Sequence, residues 1–442
     1  MKKFSRREFF KLFGSGVIGI ALNPKIGFSK IIGEGRASNV VDCYHSQATS
    51  GSSINEPIVQ IMMDASIKAL TGINNVGEAW KSVFPNITQN SIIGIKVNCI
   101  NSALPTHPQF VNCIVNGLIQ MNFGGVYFRK NNIIIWDRTN GELQNSNYTI
   151  YTGNDPNTVR CFGTDQTGVG YDNTCPLTIQ TASGTYTRYP SRILSQMIDY
   201  LIDVAVLKNH GSGQVTLCLK NHYGSINNPG GLPHANYCSP EIPSTNQQIR
   251  DVVTPNNIQK IFIIDALFGN VTSGPGGSPN CNPKKLIMSL DPVACDYRGW
   301  QVINIERQNL GQGIIPWPVY HIQTASQTPY NLGTTDINLI EITNPQSIEE
   351  RNIGSVDKLI KVLPNPFQKS TKLNLTLPNE SPIYIDLIDI TGRTAENIYS
   401  GYLTKGAHLI TYNKKRNIPS GNYFFRLYYQ GANYLKKVTV LN

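Results

Sequence analysis

Residues 203–226 read DVAVLKNHGSGQVTLCLKNHYGSI, and the triplet Lys-Asn-His occurs in them twice, as Lys208, Asn209, His210 and as Lys220, Asn221, His222. The run before the first triplet is short, apolar and β-branched, the pattern of a strand buried on both faces. Side chains two apart in an extended segment share a face, so Lys208 and His210 are expected to project together. The same holds for Lys220 and His222 if VTLCL is a second strand, and the intervening GSGQ has turn chemistry. A polar triplet at the carboxyl end of a buried strand stands where open α/β sheets place their ligands.

Working outward, the arrangement recurs. SIIGIKV (91–97) carries Lys96 near its end and is followed by Asn98, and IFIID (261–265) ends in Asp265. Ile133 to Trp136 and Leu286 to Leu290 are further buried-strand runs. Pro57 to Leu70 and Pro108 to Met121 carry apolar residues at helical spacing, the second with Thr106 placed to cap it. Arg192 to Leu201 reads as a helix feeding the DVAVL strand, and 140–189 as a long polar surface excursion containing some strands. The alternation predicts an α/β layered passenger domain with a mostly parallel sheet over residues 38–350.

Lys96, Asn98, Lys208, His210, Lys220, Asn221, His222 and Asp265 are therefore the candidate ligand-binding residues. Singly, a strand-end Lys is commonly a solvated cap, Asn a turn former and His a satisfied core or surface group. Their joint placement past apolar runs is what favours a shared pocket. Three converging lysines repel one another unless a carboxylate, a phosphate, or Asp265, Asp291 and Asp296 sit among them, which points to an anionic small molecule. Alternatively His210, His222 and His234 with Asp291 or Asp296 ligate a divalent metal, although no pair has HxxxH spacing. Gly274, Gly276 and Gly277 read as a loop.

The net charge of +10 divides unevenly: residues 1–30 carry +6, residues 362–442 carry +6, and the body between them −2. The region that would hold a site lacks the basic footprint of nucleic-acid binding. The nine cysteines show no CxxC and no tight Cys/His pair, which disfavours a zinc ribbon or an iron-sulfur motif. Cys161 with Cys175 and Cys238 with Cys281 lie in loops as candidate disulfides, while Cys99, Cys113, Cys218 and Cys295 sit in apolar runs as buried thiols. No GxSxG elbow supports a serine hydrolase.

The two ends read as addresses. Ser5, Arg6, Arg7, Phe9, Phe10 and Lys11 precede a short apolar stretch, Leu12 to Leu22, too short to anchor in a bilayer. This resembles a twin-arginine signal peptide, assigned with its flank to residues 1–37. Gly14, Gly16 and Gly19 spell GxGxxG inside it, but they follow no strand, so no nucleotide motif is read there. Residues 351–361 are expected to be a linker. From 362 to 442, alternating runs separated by Pro, Gly and Asn turns predict a small all-β sandwich domain. Pro364 to Phe367, DITGR (389–393), PSGNYF (419–424) and Lys436 to Val438 resemble, in order, the type A sorting domain of type IX secretion.

The passenger also resembles a family. GIKVN (94–98), DVAVLKNHGSGQVTLCLKNHYGSI (203–226), His234, IIDALFGNVTSGPGG (263–277) and DPVACD (291–296) are similar to the family called domain of unknown function 362. That resemblance implies a fold and a site but no reaction; family members are sometimes fused to iron-sulfur modules, whose motif this chain lacks. The resemblances together imply a protein handled by the twin-arginine and type IX secretion machinery, carried through the periplasm to the cell surface or beyond, with no transmembrane helix in the mature chain. The expected activity is metal or anion binding with redox or other enzymatic chemistry. The alternative is a non-catalytic surface protein whose Tyr148, Tyr151, Phe162, Tyr171 and Tyr186 contact a glycan or protein partner.

Overall fold

The computed structural model describes residues 37–253, 258–345, 359–389, 394–415, 418–429 and 432–441. Arg6, Arg7, the three glycines at 14, 16 and 19, most of the 351–361 linker and all of DITGR after Asp389 lie outside the described residues.

The strands along the main passenger sheet are β1 (Ser38–Tyr44), β2 (Ile93–Lys96), β3 (Ile133–Trp136), β4 (Arg160–Cys161), β5 (Tyr200–His210), β6 (Gln259–Asn270), β7 (Lys285–Ser289) and β8 (Ile337–Thr343). They lie side by side in the order β8–β1–β7–β6–β5–β2–β3–β4, with the two-residue strand Gln214–Val215 folded back on β5. β7 runs antiparallel to both neighbours, and the other pairs along this order are parallel. The passenger is thus a mixed α/β domain with a mostly parallel sheet.

Both faces of that sheet are covered, as parallel pairing requires. On one face α1 (Glu56–Thr71), α2 (Val76–Val83) and α3 (Pro108–Leu118) pack on Val204, Val206, Ile261 and Ile263. On the other, α4 (Leu217–Asn221), α5 (Glu241–Gln248) and α6 (Pro292–Asn309) pack on Ala205, Leu207, Phe262 and Ile264. Alternate residues of β5 and β6 thus feed separate cores, which is why their sequences read as continuous apolar runs.

Three local readings are corrected. Arg192 to Leu201 is no helix: one π turn, Ile193–Met197, is followed by β5, because Leu201 to Leu207 continue a run that pairs on both sides. Thr106 does not cap α3, whose N-cap is His107; the Thr106 hydroxyl instead donates to the Val204 carbonyl at 2.9 Å and accepts from the Asn98 N–H. VTLCL is no strand beyond Val215: Leu217 turns into the left-handed region at φ 60°, and α4 begins there. The Asp296 carboxylate fixes that helix by accepting the Cys218 and Leu219 N–H groups at 2.8 and 2.9 Å.

The expected disulfides are absent, since all nine cysteines are free thiols. Cys161 lies on β4 and Cys281 pairs through its backbone with Gly269, whereas Cys238 stands beside Glu241.

The C-terminal part consists of small antiparallel sheets. Strands β9 (Ile360–Leu363), β10 (Ser370–Leu377) and β13 (Gly406–Asn413) form one, in the order β9–β10–β13. Strands β11 (Ser381–Asp389), β12 (Thr394–Leu403), β14 (Gly421–Tyr429) and β15 (Ala432–Val440) form the other, in the order β12–β11–β14–β15. Leu373, Leu375 and Leu377 from the first share one core with Ile383, Ile385, Leu387, Phe425 and Leu427 from the second. The Pro364 to Phe367 segment is stitched to the last strand: Asn365 bonds the Lys437 carbonyl and the Thr439 N–H, and Phe367 is buried against Tyr412 and Phe425. No helix among the described residues is long and apolar enough to cross a membrane.

Candidate functional site

Lys96 ends β2 and is fully buried, a position tolerable for an ammonium only if its donors are satisfied. Its Nζ donates to Asp137 Oδ1 at 2.7 Å, to the Val97 carbonyl at 2.7 Å and to Asn221 Oδ1 at 3.4 Å. Asp137 follows β3 directly, and its second oxygen accepts the Cys99 N–H at 2.6 Å. Gly224 lets the chain pass over this pair, since a Cβ there would stand 2.7 Å from Lys96 Nζ and 3.0 Å from Asp137 Oδ1.

Asn221 is the junction. Its carbonyl oxygen also accepts from Asn98 Nδ2 at 3.1 Å, and its amide nitrogen donates to Asp203 Oδ1 at 2.5 Å. The other Asp203 oxygen is buried without a hydrogen-bond partner, and burial pushes this carboxyl up to about 7. Asn98 Oδ1 in turn accepts from Lys208 Nζ at 3.1 Å. The network therefore runs from Asp137 through Lys96, Asn221 and Asn98 to Lys208.

Lys208 differs from Lys96. It is 1% exposed, its hydrogen-bond partner is the neutral Asn98 amide, and burial pulls its ammonium down to about 8. Asp265, at the point where β6 bulges away from β5, is already committed: its Oδ2 is 2.7 Å from His107 Nδ1 and accepts the His107 N–H at 3.0 Å. Beside this end of the sheet, the 274–277 loop is tied down by the Gly274 N–H donating to Asn209 Oδ1 at 2.7 Å. Asn101 Nδ2 adds a bond to the Gly277 carbonyl at 2.8 Å. A Cβ on Gly274 would lie 2.2 Å from the Asn209 carbonyl oxygen, so the loop needs glycine there.

The structure thus brings together Lys96, Asn98, Lys208 and Asn221 in one hydrogen-bonded chain and sets Asp265 within electrostatic reach of Lys208. Lys220 is not with them. Because α4 is helical, Lys220 turns away from Asn221 and lies 3.9 Å over the Tyr223 ring, beside Cys238 and Glu241. His210 accepts the Ser212 and Gly213 N–H groups on Nδ1, each at 3.0 Å, closing the turn after β5.

The expected metal set is not assembled. Both nitrogens of the buried His222 are engaged, with Ser225 Oγ at 3.0 Å and Gln259 Oε1 at 3.1 Å. Asp291 is the N-cap of α6, accepting from the Val293 and Ala294 N–H groups, and also binds the Ser38 hydroxyl; Asp296 holds α4. Among the described residues, His234 instead groups with Cys238 and Glu241. The proposed contact aromatics are also partly withdrawn: Tyr148 and Phe162 are buried, and the Tyr148 hydroxyl donates to the Thr106 carbonyl at 2.9 Å.

Asp137, Asp203 and His107 were not among the expected residues. Asp137 follows IIIW just as Asp265 follows IFII, so the same strand-end signal marks it. His107 and Asp203 carry no such mark, the first at a helix start and the second inside a strand.

Residues 93–301 match the family model described as Domain of unknown function (DUF362). That span contains the whole network. No curated protein matches the chain. Among solved structures, the Pseudomonas fluorescens alkylpurine DNA glycosylase AlkC bound to DNA containing an abasic site analog aligns at 15% identity with a TM-score of 0.14. The alignment covers 19% of this chain and 29% of that one, a likeness too slight to bear on fold or function.

Proposed function

We propose that this is an exported protein whose strand-end network binds a small anionic molecule, a carboxylate or a phosphate. The observation that carries the reading is Lys208: a buried ammonium with three donor protons whose hydrogen-bond partner is one neutral amide. The neighbouring carboxylates do not neutralise it by contact, since Asp137 is bonded to Lys96 and Asp265 to His107. A buried cation is costly without a counter-charge, and an anion entering between Asn98 and Lys208 would supply one. Asp203, held near neutrality by burial, would then serve as a proton donor or acceptor beside the bound group, which is how this site would support enzymatic chemistry.

Calorimetric titration of the full chain with inorganic phosphate and with oxalate tests this. Binding that weakens with salt and disappears in Lys208→Met is expected; equal binding by the variant, or none by the wild-type chain, sinks the reading.

The export reading rests on Arg6, Arg7 and the C-terminal landmarks, and the interlocking of Pro364 to Phe367 with β15 supports treating the last eighty or so residues as one tag. Cell fractionation checks it. Arg6→Lys with Arg7→Lys should retain the protein in the cytoplasm, and removal of 362–442 should strand it in the periplasm. Secretion of either variant as efficiently as the parent would refute the corresponding address.

A further inference from the structure

We infer that His234, Cys238 and Glu241 form a divalent-cation site of the zinc type, separate from the strand-end network and independent of the anion reading. One ligand atom from each lies within 4.8 Å of the others, close enough for all three to reach a single ion. The donor set is one imidazole, one thiol and one carboxylate, the mixture that borderline-soft zinc accepts. Three protein ligands leave a fourth tetrahedral position for water or a substrate atom.

The surroundings hold these groups in place before any ion arrives. Glu241 opens α5 and is 1% exposed; its Oε1 accepts the Tyr223 hydroxyl and its Oε2 accepts the His234 N–H at 3.1 Å. Hydrogen bonds of this kind from neighbouring groups orient metal ligands. The His234 ring meets the Tyr223 ring edge-on with centroids 5.3 Å apart. Cys238 is fully buried, so a thiolate formed there has little water to stabilise it and needs a cation. His234, Asn236, Tyr237 and Cys238 all occupy the left-handed region, with φ between 49° and 60°. Non-glycine residues in this region carry backbone strain, which tends to collect at ligand clamps. Lys220, beside Cys238 and Glu241, supplies positive charge to the cluster without an ion, and a dication entering there must displace its proton or its ammonium.

The test uses the full chain stripped with a chelator and titrated with cobalt(II), whose thiolate charge-transfer band reports sulfur ligation. One equivalent of cobalt with that band is expected, displaced by zinc. Cys238→Ser should abolish the band. Glu241→Gln, which keeps a partner for the Tyr223 hydroxyl, and His234→Gln should each weaken binding tenfold or more, with unchanged circular dichroism. Lys208→Met should bind cobalt normally, which separates this site from the anion site. Absence of binding, binding without the sulfur band, or a band that persists in Cys238→Ser would overturn the proposal.

Discussion

Lys208, Asn209 and His210 stand at the end of an extended strand, whereas Lys220, Asn221 and His222 stand at the end of a helix of five residues, and the same three side chains act differently in the two places. In the strand, Lys208 points into the network, Asn209 ties down the 274–277 loop and His210 closes a turn. In the helix, the asparagine enters the network, while the lysine and histidine diverge to Tyr223 and to Gln259. Residue type offers the chemistry, and backbone direction decides which neighbour receives it.

The comparison can be broken at several points. Asn221→Ala should cost the most, about 3 kcal/mol in urea unfolding, because it strips one buried partner each from Lys96, Asn98 and Asp203. A loss as small as that of Asn209→Ala would mean the two asparagines are equivalent after all.

His222→Leu should cost about 2 kcal/mol through the orphaned Gln259 and Ser225. It should also change the acid behaviour. Burial holds the folded His222 down at about 3 against an ordinary 6.5, so the unfolded chain takes up a proton that the folded chain refuses between those values. Stability therefore falls as pH drops from 6.5 towards 3, and His321, also held at about 3, acts in the same direction. Unfolding midpoints measured across that range should fall less steeply in the variant.

Asp203→Asn probes the opposite sign. The folded carboxyl is held at about 7 against an ordinary 3.8, so the folded chain keeps a proton that the unfolded chain has released, and stability declines as pH rises from 3.8 to about 7. The asparagine variant should lose that decline, and an unchanged pH profile would show that Asp203 ionises freely in the fold.

Lys208→Met should leave stability within about 1 kcal/mol of the parent, since the ammonium has no contacting counter-charge to orphan and its removal loses one bond to the Asn98 amide. Its anion binding is expected to vanish all the same. Asn209→Ala should be the mildest, about 1 kcal/mol or less, because it loses one half-exposed bond to the Gly274 N–H.

Much of this was legible. The apolar runs ending in Lys96, Lys208 and Asp265 announce buried strands whose polar ends gather at one edge, because a parallel sheet aligns its carboxyl ends. The alternation of Leu373, Leu375 and Leu377 announces a one-sided strand in the same direct way. VTLCL did not yield, since five apolar residues fit a buried helix turn as well as a strand, and the choice was made by Asp296, far away in sequence. Asp203 was hidden because a polar residue inside an apolar run shows its purpose only through a partner that the fold brings to it. His234, Cys238 and Glu241 stand at i, i+4 and i+7, a spacing that fits one face of a helix, yet a left-handed turn at 234–238 is what gathers them.

The placement of β1 has a consequence for the order in which the chain can fold. Its neighbours are β7 and β8, with Ser38 opposite Ile337 and Tyr44 opposite both Lys285 and Thr343. During synthesis the parallel centre of β2, β3, β5 and β6 can assemble from residues already made. The first strand must wait, its peptide groups unpaired, until nearly the whole passenger has left the ribosome. Closure of the sheet therefore coincides with the end of the domain's synthesis, so its completed edge reports that translation of the domain is finished.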